Sequence, residues 1–158
     1  MERIHKGQKT DLTKKWPNLR RVRVGMGWQT GAAPEVDTAV FLLGADGRAA
    51  GDEDFVFYGN PRHRTGAVEH RDSTAGGDRQ EVEVDLAALP AEIQKLAFTA
   101  TIYEAEQRRQ NFGQVAGAYI RVLDAASGAE LLRYDLGQGF SVETAIVVGE
   151  LYRYKGEW

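Results

Sequence analysis

The side chains of this 158-residue chain best placed for chemistry are carboxylates in short, closely spaced sets. Glu35 and Asp37 stand two apart, just ahead of the apolar run Val40-Phe41-Leu42-Leu43. Asp72 and Asp78 lie in a loop rich in Gly, Ser and Thr. Asp52, Glu53 and Asp54 crowd one turn, with Asp46 close by. Carboxylates held together repel one another unless a cation neutralises them. A hard cation such as calcium takes about six to eight oxygens, which acidic loops with free carbonyls can supply. The Asp52–Asp54 set reads as a solvated turn. Glu35 and Asp37, together with Asp72 and Asp78, form the better candidate for a cation site, and spacing alone leaves both a cation and plain solvation open.

Other chemistries are poorly served. The chain has no Cys, which excludes disulfides, thiolate zinc sites, iron–sulfur clusters and Cys nucleophiles. It carries no G-x-S-x-G elbow, no P-loop and no H-E-x-x-H pair. Ser73, Ser127 and Ser141 have no recognisable base beside them in the sequence. His5, His63 and His70 sit in polar segments and read as solvated loop residues, with a His63/His70 metal pair as the alternative. A non-enzyme is expected.

Charge is unevenly spread. The first 24 residues hold eight of the 20 basic side chains and two of the 23 acidic ones. A basic hairpin packed on an acidic body explains this, and a surface that docks a protein partner is the alternative. Nucleic acid is the weaker partner, because the basic residues are scattered and only Trp16 interleaves them as a stacking aromatic. No apolar run approaches the roughly 20 residues of a membrane span, and Met1–Lys6 lacks the apolar core of a signal peptide. A cytoplasmic location is expected.

These side chains must be positioned by strands, because the dominant hydrophobic period is two. Val22, Val24, Met26 and Trp28 alternate with Arg21, Arg23, Gly25 and Gly27. Val82, Val84 and Leu86 alternate with Glu81, Glu83 and Asp85, and Leu96, Phe98, Ala100 and Ile102 repeat the pattern. Val40–Leu43, Phe55–Tyr58, Tyr119–Leu123, Leu131–Tyr134 and Thr144–Tyr154 read as further strands. Gly25 and Gly27 mark a place where a neighbouring backbone comes close. Helical turns are confined to Leu86–Gln94, interrupted by Pro90, and to Glu104–Gln107. Residues 62–77 read as the least structured stretch. The fold expected is all-β: a two-sheet sandwich with Gly-rich loops and at most one or two short helical turns.

Several blocks, in order, resemble one family. They are Lys6-Gly7-Gln8-Lys9-Thr10-Asp11-Leu12-Thr13-Lys14, Val24-Gly25-Met26-Gly27-Trp28, Ala39–Gly47, Asp54–Tyr58, Gln110-Asn111-Phe112-Gly113-Gln114-Val115, and the closing Gly149–Arg153 with Gly156-Glu157-Trp158. Together they resemble the TerD family of bacterial tellurium-resistance and stress-response proteins, as a single domain over residues 5–158. The resemblance implies a β-sandwich, calcium bound through acidic loops, a role in tolerance of tellurite and other chemical stress, and no assigned catalytic residue. The metal ligands it implies are Asp37, Asp72 and Asp78, with Glu35 next and backbone carbonyls completing the shell. The family pattern often continues beyond the position of Trp158 with a further strand.

The chain departs from that pattern at the acidic positions. Gln29 stands where the pattern has Asp, and Glu35-Val36-Asp37 where it has Asp-Leu-Asp. Arg71-Asp72-Ser73 replaces Gly-Asp-Asn, and Gly77-Asp78-Arg79-Gln80 replaces Gly-Asp-Asp-Glu. Fewer carboxylates and two added guanidiniums weaken any calcium site, reducing it to one ion or abolishing it. Arg79 either takes part of the ion's place, pairing with Glu35 or Asp37 through its planar fork, or points to solvent as most arginines at the start of a strand do. With no Cys and only Met1 and Met26, soft ligands for tellurium are scarce, so direct tellurite chemistry is not expected. The function expected is a non-enzymatic stress-response domain with a weakened calcium site. The alternative is a metal-blind scaffold that docks a protein partner through the basic N-terminal face.

Overall fold

The computed structural model describes residues 1–29, 35–73, 75–136 and 143–158. Ten strands in two sheets make up the described fold: β1 (Glu2–Arg3), β2 (Arg21–Gly27), β3 (Val36–Leu43), β4 (Phe55–Val56), β5 (Val68–Asp72), β6 (Gln80–Asp85), β7 (Lys95–Ile102), β8 (Tyr119–Asp124), β9 (Glu130–Asp135) and β10 (Ala145–Tyr152). One sheet has six strands in the order β1-β9-β8-β2-β6-β5, and the other has four in the order β10-β7-β3-β4. Pairing is antiparallel throughout except between β1 and β9.

Alternation along the strands decides which face is dry. Val22, Val24, Val82, Val84 and Val68 of the larger sheet meet Val40, Leu42, Val56, Leu96 and Phe98 of the smaller, all at most 1% exposed. Burying one such side chain contributes about 1.5–3 kcal/mol, so the apolar interior is ample to hold the two sheets together. The opposite face of the larger sheet is a lattice of charges. Arg23 of β2 lies 3.0 Å from Glu81 and 3.5 Å from Glu83 of β6, and Arg71 of β5 reaches the same two carboxylates at 3.1 Å each.

That lattice accounts for much of the basic N-terminal segment. Arg20 and Arg21 lie 3.4 and 3.6 Å from Asp85, Arg3 is 2.5 Å from Asp135, and Lys15 is 2.6 Å from Glu2. The excess of positive charge is thus largely neutralised within the chain.

Three local expectations need correcting. The stretch 62–77 contains β5, which pairs with β6 from Val68 against Val84 to Asp72 against Gln80. Its inward residues are only Val68 and His70, too few to register as an apolar alternation. The strand expected at Phe55–Tyr58 stops at Val56, and Phe57 instead closes a turn on Asn60. Turns alone occupy the Leu86–Gln94 stretch, and short helical turns outnumber the one or two expected. α1 (Leu12–Lys15) and 3-10 turns at Asp52–Asp54, Ala75–Gly77 and Phe112–Gln114 join the turn expected near Glu104–Gln107, α2 (Ala105–Arg108). It is entered and left through the left-handed residues Glu104 and Arg109.

The smaller sheet does not cover the larger one fully. β10, at the edge, lies over Ile120 of β8. Beside its free edge is a cleft of about 650 Å³, bounded by residues 4–12, Val122, Leu132, Tyr134 and Val147.

Candidate functional site

The two sheets are joined at one end by a buried polar knot. Thr38 of β3 donates its backbone N–H to the Gln80 side-chain carbonyl at 2.9 Å, and its hydroxyl also bonds that oxygen. The same hydroxyl lies 3.0 Å from His70 Nε2 of β5. Thr38 and His70 are 2% and 4% exposed. This knot draws the start of β3 toward the end of β5, which sets Asp37 and Glu35 near Asp72.

The electrostatics record that proximity. Partial burial, then the charge of Glu35, pushes the Asp37 carboxyl above its ordinary range, and Asp72 adds to the effect while His70 opposes it. Burial holds the His70 ring below its usual value, against the pull of Gln80, Asp72, Thr38 and Asp37. Glu35, Asp37 and Asp72 thus share one acidic neighbourhood. Glu35 is exposed and lies 3.3 Å from Arg108 of α2.

Asp78 is engaged elsewhere. It is 3% exposed and lies over Gly25 on the outer face of the larger sheet. Its Oδ1 accepts the Tyr119 hydroxyl at 2.5 Å and Arg121 Nε at 3.0 Å, while its Oδ2 accepts Arg121 Nη2 at 2.8 Å. The glycines of β2 make this possible. A Cβ at Gly25 would stand 2.3 Å from Asp78 Oδ2, and one at Gly27 would stand 2.5 Å from the Tyr119 ring. What comes close to Gly25 and Gly27 is therefore two side chains rather than a neighbouring backbone. Arg133 covers the Tyr119 ring at 4.0 Å from its centre. Burial and the Asp78 carboxylate push the Tyr119 hydroxyl far above its ordinary value. The hydrogen bond to Asp78 raises Arg121 further.

The cation expected from Arg79 is supplied by other residues. Arg79 is exposed, with its guanidinium 5.7 Å from the centre of the Trp28 ring. Arg121 takes Asp78, Arg108 takes Glu35, and the added Arg71 faces Glu81 and Glu83. The sequence signal for this site is the pair Gly25 and Gly27, which marks a close approach without naming the strand that supplies Tyr119 and Arg121.

Two of the three histidines, His63 and His70, are buried rather than solvated, whereas His5 is exposed as expected. His63 is 2% exposed, with Nε2 2.6 Å from Asp54 Oδ1 and Nδ1 2.7 Å from the Thr65 hydroxyl. Asp54 is itself fully buried, so one member of the acidic turn at 52–54 is an internal partner rather than a solvated charge. His63 and His70 each have their own partners.

Calcium was the ion expected of Glu35, Asp37, Asp72 and Asp78. Among the described residues no group of three or more His, Asp or Glu could hold a metal ion. Both oxygens of Asp78 are already taken, and Glu35 has a guanidinium beside it. The four carboxylates do not fit a closed calcium cage. Among the described residues, no helix is long and apolar enough to cross a membrane.

Comparison with known proteins agrees with this architecture. The sequence pattern of the TerD domain matches residues 1–158. General stress protein 16U of Bacillus subtilis (strain 168) is 48% identical over 164 residues, covering 98% of this chain and 85% of that protein. A tellurium resistance protein of Serratia marcescens is 40% identical over 163 residues, with the same coverage of both chains. A solved structure, described as a homologue of telluride resistance protein from Streptomyces coelicolor A3(2), superposes with a TM-score of 0.66 at 20% identity. It covers 89% of this chain and 85% of that one, and supports the fold alone.

Proposed function

The chain belongs to the TerD family, and from that premise we propose how this non-enzymatic member, linked to chemical and tellurite stress, handles calcium. Its calcium binding is reduced to one weak association at Asp37 and Asp72, with Glu35 at the rim and Asp78 withdrawn. The observation that carries this reading is the Thr38–Gln80–His70 knot, which brings Asp37 at the start of β3 beside Asp72 at the end of β5. The Asp37 carboxyl is pushed up by burial and by two neighbouring carboxylates, with His70 as the opposing influence. Burial is the largest cause of that shift and Arg108 already offsets Glu35, so the negative potential left to attract a cation is small. So few ligands place the affinity in the weak class, with a dissociation constant of about 0.1–1 mM.

Thermal melting tests this. At a dissociation constant of about 1 mM, 10 mM calcium stabilises the folded state by only about 1.4 kcal/mol. A micromolar site would already give about 4 kcal/mol at 1 mM. A Tm rise of about 3–6 °C between EDTA and 10 mM calcium, lost in Asp37→Asn, is expected. An unchanged Tm, or a rise that survives Asp37→Asn, refutes the reading.

A second reading, docking of a protein partner, draws on β10. Its free edge has no backbone partner among the described residues, Val147 is 56% exposed, and the 650 Å³ cleft lies alongside. Unpaired edges of this kind accept an added strand. The basic N-terminal face supports docking less, since most of its arginines are paired internally. Partner capture that is lost in Val147→Lys supports the edge, and capture lost only at high salt supports the basic face.

A further inference from the structure

We propose that the Arg121 guanidinium is the resident cation of the turn at residues 75–78, holding that turn as a bound metal ion would and closing Asp78 to calcium. The inference rests on the reading above in one respect: Asp78 is withdrawn from the cation site.

Three separate contacts converge on this one group. On one side is Asp78, whose side chain is 1% exposed and whose two oxygens accept Nε and Nη2. On the other side is Glu130, 3.5 Å from Nη1. Above lies the turn itself. A Cβ at Gly76 would stand 2.7 Å from Arg121 Nη2, so only glycine allows the backbone to rest on the guanidinium there. Gly76 and Gly77 both take positive φ, at 61° and 94°, a conformation that glycine adopts without strain. Two carboxylates and a turn folded over a buried positive charge are what a divalent ion would gather. Here the charge belongs to a side chain that is itself 11% exposed.

Competition explains why calcium does not displace it. The guanidinium is tethered, and even a flexible tether gives an effective concentration of about millimolar. Its planar fork matches both oxygens of Asp78 at once. Calcium at or below that concentration would have to break a buried, bidentate ion pair to enter.

The test uses the full chain carrying Asp37→Asn, so that the weak site proposed above is silent. In that parent, calcium should not move the Tm. Adding Arg121→Gln leaves Asp78 without its cation and, among the described residues, Glu130 with only Arg133, 4.0 Å away. This variant should melt lower in EDTA and lose hydrogen-exchange protection at residues 75–78. With calcium at a hundredfold excess over its dissociation constant it should regain about 5–10 °C and that protection. Arg121→Lys, which keeps the charge, should stay unresponsive. A folded Arg121→Gln protein without calcium response, or with residues 75–78 as protected in EDTA as in the parent, overturns the proposal.

If Arg121→Gln does not fold, Asp78→Asn in the otherwise native chain decides. It should leave the native calcium response unchanged, and loss of that response would make Asp78 a ligand and overturn the proposal. A native chain without any calcium response would sink the weak site alone. The Arg121 comparison, made with that site removed, would still stand or fall by itself.

Discussion

Gly25→Ala is a small change with a large expected cost. The added Cβ would meet Asp78 at 2.3 Å from Oδ2, 2.7 Å from Cγ and 2.9 Å from Oδ1. All three distances are too short to be absorbed, and the carboxylate has nowhere to go. It is buried, and both oxygens are tied to Tyr119 and Arg121. Displacing it breaks a buried charge pair, which costs about 3–5 kcal/mol. Replacing a strand glycine by alanine returns about 0.5–1 kcal/mol of backbone entropy. The net loss is about 2–4 kcal/mol, or a Tm lowered by about 5–15 °C for a domain of this size. Urea and thermal melts of Gly25→Ala, Asp78→Ala and the double variant form a complete cycle. In the Asp78→Ala background the glycine substitution should cost nothing, because the obstacle has gone. Gly25→Ala within about 0.5 kcal/mol of the native chain, or equally costly in both backgrounds, would refute the reasoning.

Other substitutions probe the remaining buried polar groups. Asp54→Ala removes the partner of His63 from a site where both side chains are at most 1% exposed, and should cost about 3 kcal/mol or more in a urea melt. A loss under about 1 kcal/mol would show that the pair is dispensable. His70 binds a proton less readily folded than unfolded, so stability should be full above its ordinary value of 6.5 and fall as pH drops through the lowered one. Melts in EDTA between pH 7.5 and 5 should therefore show a steeper fall for the native chain than for His70→Asn, and parallel curves would discard the effect. Asp37 has the opposite sign: its raised value means that ionisation opposes folding, so stability from this group rises as pH falls toward 3.8. Asp37→Asn should accordingly raise the Tm at neutral pH in EDTA, and a lowered Tm would contradict the crowding of charge around it.

The local polypeptide pattern carried the architecture. An apolar side chain at every second position leaves only one way to bury a strand's face, so β2, β6, β7 and β8 were legible within a residue or two of their ends. The same rule failed at β5, where the inward positions are Val68 and His70 and the local pattern looks polar. It also failed for His63 and Asp54, polar residues nine positions apart whose burial comes only from folding the turn at 52–54 over 61–63.

Partner choice could not be read at all without the tertiary structure. Asp78 is next to Arg79 in the chain, yet it pairs with Arg121, 43 positions away, because β2 lies between β6 and β8 and its glycines leave the gap through which the two side chains meet. Residue type and spacing determined that this molecule is a sandwich with carboxylates at its loops. Strand register across the sheet decided which of those carboxylates already has a cation, since an ion pair depends on distances of a few ångströms that sequence separation does not encode.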